Sequence, residues 1–569
     1  MRRVRIDTDV LVIGGGTAGC FAARTLGAHP EVDVVVVDKA GIERSGCLAA
    51  GVNAINAYIT KGRTPEFYAD YAMDDAGGIA RWDLLISMSE RLNDCAHALE
   101  DEGLVYLRNP DGSYAERGTR NVKINGENIK PLLARAARRQ PNVQVLEHVD
   151  VTDLLVEDGK VAGAVGFSAT SDVACELHAR AVIMSTGGAS GLYRPNNPGF
   201  SRHKMWYCPF DTGAGYAMGL AAGAEMTTFE MRFIALRCKD TIAPTGTIAQ
   251  GVHAPQVNAL GEVYENKYGL RTSERVWGTV EETLQGRGPC VLRTKGIGKE
   301  AERELYHAYL NMSPAQTLRW MEAGTGPDEV DVEIEGTEPY VVGGHTASGY
   351  WIDESRATTL PGLFAAGDVA GGAPQKYVTG ALAEGQIAAE SALAYLEAHA
   401  TKREPAGDDA LLPQADHIVC GYEYHLAGGD PAVAALFDAD QLEEAMQTAM
   451  DRYAGGISSG YRYTEAGLAQ AKHQTESLGP LVDGLGAKDT DDLLRIYELR
   501  ERLVVCRTLI AHLGARRETR WHAFAENVDH PGTDQSFACY VNSRMRDGHI
   551  ETFTRPLVKR GEHLEHFDR

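Results

Sequence analysis
The apolar positions divide the chain into regions of different rhythm. Val10-Leu11-Val12-Ile13, in "DVLVIGGGTAGCFAARTL", is continuous, short and followed at once by glycines, which is the pattern of a buried strand. A helix follows from Ala18, and a second buried strand, "VDVVVVDK", stops at Asp38. Two later strands end in the same punctuation. "ARAVIMSTGGAS" runs into Ser185-Thr186-Gly187-Gly188, and "LPGLFAAGDVAGG" runs into Gly367-Asp368 before a glycine-rich loop and a helix. Between residues 233 and 342 this alternation lapses into short mixed segments, as in "GVHAPQVNALGEVYENKYG". Beyond the Pro- and charge-rich 401–416 the chain turns helical. "DQLEEAMQTAMDRYAGG" places Leu442, Ala445, Met446, Ala449 and Met450 on one face and stops at Gly455, and "DDLLRIYELRERLVVCRTLIAHLGARRETR" predicts a second long amphipathic helix. There are no internal repeats. The expected architecture is an α/β domain in two pieces, 1–233 and 342–405, interrupted by an α+β capping insertion over 234–341 and followed by a helical domain over 406–569.

The first strand–turn–helix carries Gly14-x-Gly16-x-x-Gly19, and Asp38, at the end of the next strand, lies 19 residues after the last glycine. Glycines let backbone approach a pyrophosphate, the helix N-terminus favours its charge, and the acid accepts from ribose hydroxyls. The unit is therefore Rossmann-like and binds a dinucleotide. Gly14, Gly16, Thr17, Ala18 and Gly19 form the turn, with Asp38 and Lys39 at the second strand. Asp368, at the end of a late strand, resembles the ribitol-binding acid of FAD enzymes with two dinucleotide-type domains. Thr186, Gly187, Gly188, Gly367, Gly380 and Ala381 complete that reading.

Charge narrows the partners. Lys+Arg 56 against Asp+Glu 79 gives a net charge of -23, which argues against nucleic acid or an anionic membrane surface, and makes an anionic substrate depend on a local basic pocket. No apolar run is long enough to span a bilayer. Arg2-Arg3 leads into Gly14-Gly15-Gly16 without a cleavage site, so a soluble, cytoplasmic chain is expected. The 10 cysteines contain no C-x-x-C pair, so neither a metal nor an iron–sulfur cluster is expected. His563 and His566 fall in "EHLEHFDR", read as a solvated tail.

Taken together, "VIGGGTAGC", "ERSGCLAAGVNAINAY", "INGENIKPLLA", "STGGASGLYRPNN", "MWYCPFDTGAGYAMGLAAGAEMT", "MRFIALRCKD", "GGHTASGYWI" and "GLFAAGDVAGG" resemble the flavoprotein subunits of the fumarate reductase and succinate dehydrogenase superfamily over nearly the whole chain. Within it the alpha subunits of adenylylsulfate reductase are most similar. The resemblance implies an FAD-dependent oxidoreductase that converts adenylylsulfate to sulfite and AMP through flavin N5. Its electrons would come from a ferredoxin-like iron–sulfur partner in a hetero-oligomer.

It also implies site residues. The loop after the second strand would run beneath the isoalloxazine, so small residues from Gly46 through Ala50 to Gly51 admit the ring, with Ser45 beside them and Asn56 at the reactive edge. Succinate dehydrogenases carry a flavin-tethering histidine where Gly46 stands here, so the FAD is expected to be non-covalent. Cys47 is read as packing rather than as a thioether. Glu127, Trp206, Arg237, Arg275 and His345 match positions at the family's active site, with Arg237, Arg275 and His345 as the expected basic pocket and Trp206 as the electron entry. Thr247, Ile248 and Ala249 stand where adenylylsulfate reductases place aromatics that help hold the adenylyl group. Two alternatives follow: a fumarate reductase or succinate dehydrogenase-like oxidoreductase of a small carboxylate, and a non-catalytic flavin electron-transfer subunit.

Overall fold
The computed structural model describes residues 1–197, 205–399 and 413–567. Strand β1 (Arg2–Ile13), helix α1 (Thr17–Leu26) and strand β2 (Val34–Asp38) form the opening β-α-β unit, with β1 and β2 parallel and Val10 opposite Val34. Val34 through Val37 are buried, which is why the run carries no polar alternation. β1 starts well before its apolar run, because its polar first half is held in parallel register by β3 (Val173–Met184).

The main sheet has seven strands. Val143–Glu147, β2, β1 and β3 are parallel neighbours in that order. The first half of β3 pairs antiparallel with Lys160–Ser168, and that strand pairs in turn with Val149–Glu157. The second half of β3 pairs in parallel with β4 (Leu363–Ala365). The ends of β1, β2, β3 and β4 therefore converge on one edge. Helix α2 (Tyr377–Ala398) lies across α1 so closely that a Cβ on Gly385 would come within 2.3 Å of the Ala18 carbonyl oxygen.

The insertion has its own core. Cys238, Ile248, Tyr264, Leu292, Tyr309, Trp320 and Ile334 belong to an apolar cluster separate from the main one. It packs beside a four-stranded sheet of Leu236–Cys238, Val332–Gly336, Val291–Leu292 and Gln256–Val257. The expected boundary at 405/406 lies outside the described residues.

The C-terminal region holds the expected helices Ala439–Tyr453 and Thr490–Ala515. Leu442, Met446, Ala449 and Met450 are buried as the periodicity predicts, whereas Ala445 is exposed. The region is not all helical. Cys539–Arg546 and His549–Pro556 form a hairpin that pairs with Met226–Thr227, joining the last segment to the first domain. Its turn, Asp547-Gly548, has positive φ at both residues (49° and 75°), as a type I′ turn demands. The tail does not extend freely into solvent either. His563 Nδ1 lies 2.9 Å from Glu354, and the His566 amide donates to Asp353 at 3.2 Å. Among the described residues no helix is long and apolar enough to cross a membrane.

Candidate functional site
One cavity of about 670 Å³ runs from the first glycine turn, past the ends of β2, β3 and β4, to the inner face of the insertion. At the sheet end Gly14 has φ 98°, and a Cβ there would meet Ser185 O at 2.5 Å. Gly16 and Gly46 face each other across the cleft. A Cβ on Gly46 would be 3.8 Å from Gly16 Cα, and one on Gly16 has only Ser185 O at 3.8 Å for a neighbour. Two bare backbones beside the uncapped start of α1 form a slot whose peptide groups are open to an anion such as a pyrophosphate, with Thr17 and Ala18 lining the cavity there.

Acids flank the slot. Asp38 accepts from the Gly15 amide and the Ser45 hydroxyl through Oδ2, each at 2.8 Å, and from the Ala40 amide through Oδ1 at 2.8 Å. The residue expected to hold a ribose therefore also braces both loops of the slot. Lys39 lines the cavity but is tied to Glu498 at 3.0 Å. Burial opposes its charge, while Glu498, Asp150 and Glu501 more than restore it and hold its pKa above the ordinary lysine value. Burial raises the Asp211 carboxyl to about 7, with Lys39 opposing and Asp368 adding to the shift. Asp368 receives the Tyr207 hydroxyl at 2.7 Å. Burial pushes its carboxyl up, and Tyr207 and Lys376 counter that in part. Thr186 Oγ1 is buried without a partner on the same wall.

The other end is basic. Asn56, at the end of strand Val52–Asn56, faces Asn121 of strand Asn121–Gly126, and the loop before Asn121 brings in Arg117 and Arg120. Arg117 donates to Asn53 Oδ1 and Thr247 Oγ1, each at 3.2 Å, and to Asn56 Oδ1 at 3.1 Å. Burial without a carboxylate lowers its pKa. Thr247 begins a π-helical turn, Thr247–Gly251, whose widened geometry carries this wall of the insertion. Arg120 lies over the Tyr71 ring at 3.2 Å, and Arg275 donates to the Leu270 carbonyl at 3.1 Å.

His345 closes the chamber. Its ring stacks on Phe233 at 4.2 Å and meets the edges of Trp206 and Tyr377 at 5.3 and 5.1 Å. Desolvation in this aromatic cage lowers its pKa to about 3, so the imidazole is neutral and offers a hydrogen bond rather than a charge. Trp206 continues the aromatic contact to Tyr207 at 6.3 Å and to Tyr340 at 6.1 Å.

Residues 9–381 match the FAD binding domain family. The chain belongs to that family of flavoproteins. Its similarity to particular relatives extends further. The adenylylsulfate reductase of Archaeoglobus fulgidus has a solved structure that superposes with a TM-score of 0.91 at 31% identity, covering 98% of this chain and 97% of that one. The alpha subunit of adenylylsulfate reductase from Megalodesulfovibrio gigas is 28% identical over 98% of this chain and 96% of its own. A fumarate reductase (CoM/CoB) subunit of Methanothermobacter marburgensis is 23% identical over 95% of this chain and 98% of its own. The protein is an FAD-dependent oxidoreductase.

Most residues expected at the FAD line the cavity: Gly14, Gly16, Thr17, Ala18, Asp38, Lys39, Ser45, Gly46, Thr186, Gly187, Gly367, Asp368 and Ala381. Gly19, Ala50, Gly51, Gly188 and Gly380 do not. Three of these glycines serve packing instead. A Cβ would lie 1.9 Å from Gly14 O at Gly19, 2.4 Å from Asn311 O at Gly51 and 2.8 Å from Met88 Sδ at Gly380. Gly188 gives its amide to the Tyr207 hydroxyl at 3.0 Å, and Ala50 is exposed.

On the substrate side, Asn56, Trp206, Arg275 and His345 line the cavity, while Glu127 and Arg237 do not. Glu127 is exposed and pairs with Arg44 at 3.1 Å. Arg237 follows from strand alternation: Leu236 faces the cavity, so its neighbour points the other way, to Glu335 at 2.7 Å and Asn196 Oδ1 at 2.5 Å. The basic pocket thus has Arg117 and Arg120 in place of Arg237. Neither was a sequence candidate, because it is the pairing of Asn121 with Asn56 that brings their loop to the chamber.

Proposed function
We propose that this protein is the catalytic flavoprotein subunit of an adenylylsulfate reductase-type complex. It would take two electrons from an iron–sulfur partner and split adenylylsulfate into sulfite and AMP. FAD, when bound, supplies two-electron chemistry at N5. The chain's residues do the rest. The slot at Gly16 and Gly46 receives the pyrophosphate, and Asp38 and Asp368 receive the ribose and ribitol hydroxyls. Asn56, steered by Arg117, marks the reactive edge. His345, neutral in its cage, donates to the substrate where charge builds up during S–O cleavage, and Trp206 carries electrons inward. Gly46 has no side chain to bond to the flavin, so FAD is held non-covalently. Residues 1–233 with 342–405 form the FAD domain, 234–341 the cap, and 406–569 a C-terminal domain of helices plus one hairpin. The enzyme works in the cytoplasm as a hetero-oligomer.

The observation that supports this reading most is the polarity of a single cavity in a chain similar over its length to adenylylsulfate reductase, acidic at the dinucleotide slot and lined by Arg117, Arg120 and Arg275 at the opposite end. A small-carboxylate reductase is the second reading. It is favoured by Thr247 and Ala249 on the chamber wall and by Arg120 covering one face of Tyr71, which together leave less aromatic surface for an adenine. A flavin protein without a substrate has no use for a chamber lined by three arginines. Steady-state turnover with reduced methyl viologen, run with adenylylsulfate and with fumarate, separates the three. The first reading expects AMP and sulfite from adenylylsulfate and little fumarate reduction. The reverse ratio supports the second, and activity with neither supports the third.

A further inference from the structure
The chain buries several arginines, and nearly all have a structural counter-ion. Arg81 pairs with Asp83, Arg237 with Glu335, Arg356 with Glu384, Arg502 with Glu443, and Arg516 with Glu230 and Glu518. Arg232 has no carboxylate, but backbone carbonyls of Phe524, Ala454, Gly455 and Tyr461 surround it. Arg117 has neither. Among the described residues its guanidinium donates only to the neutral side-chain oxygens of Asn53, Asn56 and Thr247, and its Nε is buried without a partner. A partly desolvated guanidinium without a counter-ion carries a cost that an arriving anion recovers.

We propose that Arg117 is a substrate-binding residue that receives an oxyanion group of the substrate beside Asn56, with Arg120 and Arg275 available to a second anionic group in the same chamber. This rests on the reading of the chamber as the substrate site. Asn53 from the FAD domain and Thr247 from the cap, themselves hydrogen-bonded at 3.3 Å, both accept from Arg117 Nη1, while Asn56 accepts from Nη2. They fix the guanidinium plane before the ligand enters, so little further ordering is needed on binding. The ligand class is a small molecule with at least one carboxylate, sulfate or phosphate group, which a planar guanidinium engages by two parallel hydrogen bonds.

The test uses the FAD-loaded protein and thermal unfolding at fixed ionic strength with sulfate, succinate or AMP as probe. The parent should gain Tm with at least one probe, and the one that acts distinguishes sulfur oxyanion, carboxylate and phosphate. R117M should weaken that probe roughly ten- to a hundredfold, the effect of losing a charge-assisted pair. R117K should recover part of the loss. Without ligand, R117M should keep its FAD and melt close to the parent temperature, because the lost hydrogen bonds are offset by removal of a half-buried charge that has no counter-ion. A structural strut predicts the opposite, a fall in ligand-free Tm, and that result overturns the proposal. So does undiminished probe binding by R117M, or a parent whose Tm none of the three probes raises. If adenylylsulfate is not turned over while the probe arm succeeds, the assigned reaction fails and the role of Arg117 stands.

Discussion

Replacing Arg237 separates a structural cation from a catalytic one. Its Nη2 lies 2.7 Å from Glu335, the residue directly opposite it in the pairing of Leu236–Cys238 with Val332–Gly336, and its Nη1 donates to the Thr241 carbonyl at 2.7 Å. Arg237 is fully buried, whereas the Glu335 side chain is 26% exposed. R237M therefore strands one partly solvated carboxylate, one buried carbonyl and the Asn196 side-chain oxygen. Breaking a fully buried pair costs about 3–5 kcal/mol, and the partial exposure of Glu335 places this case near about 3 kcal/mol. E335Q should cost less, and the double variant R237M/E335Q should recover part of the loss, giving a coupling energy of about 1–3 kcal/mol. Urea unfolding of the four proteins, followed by tryptophan fluorescence and by flavin release, measures the cycle. KM for the anionic substrate should stay within about threefold of the parent, since about 0.6 kcal/mol or less is expected from a residue off the cavity. A parent-like unfolding midpoint together with a large KM increase in R237M would refute this reasoning and return Arg237 to the substrate.

Three further outcomes follow from the geometry. Acid precipitation of the purified protein should leave the yellow flavin in the supernatant, because Gly46 offers no side chain to bond it, whereas flavin in the pellet would contradict the loop assignment. Trp206→Phe should slow turnover driven by an iron–sulfur partner while sparing turnover driven by a small dye; an equal loss in both would make Trp206 packing only. In the FAD-free protein, Asp211 should make stability depend on pH. Its folded pKa, about 7, is raised above the unfolded value, so the folded state binds the extra proton and stability falls as pH rises from about 4 to about 7. D211N should reduce that slope in thermal scans, the remainder coming from groups such as Glu501, which burial also raises to about 7, and an unchanged slope would remove Asp211 as a contributor.

The dinucleotide end of the site was legible because its determinants are local. The valine run of β2, the glycines spaced to α1 and the acids ending β2 and β4 are each set by a few consecutive residues, and the sheet brings their ends together. The substrate end was legible only in part. Asn56, Trp206, Arg275 and His345 could be carried over from the family's motifs, but nothing near Arg237 foretold Glu335, a partner reached through antiparallel pairing within the cap. Arg117 and Arg120 were hidden for the same reason, since their loop gains meaning only when Asn121 lies opposite Asn56. His345 could be placed but its charge could not, because its neutrality comes from Phe233, Trp206 and Tyr377 meeting around it. The terminal hairpin carried a readable Asp-Gly turn that the helical rhythm of the preceding segments obscured.

The proposed reaction is reduction of adenylylsulfate in this cavity with electrons held on its FAD. The most direct measurement is a single anaerobic turnover: the flavin is reduced chemically, one equivalent of adenylylsulfate is added, and flavin absorbance, AMP and sulfite are followed together. If the cavity reduces adenylylsulfate, the oxidised absorbance returns as one AMP and one sulfite appear per FAD. A flavin that stays reduced with adenylylsulfate but is oxidised by one equivalent of fumarate, with succinate as product, would contradict it.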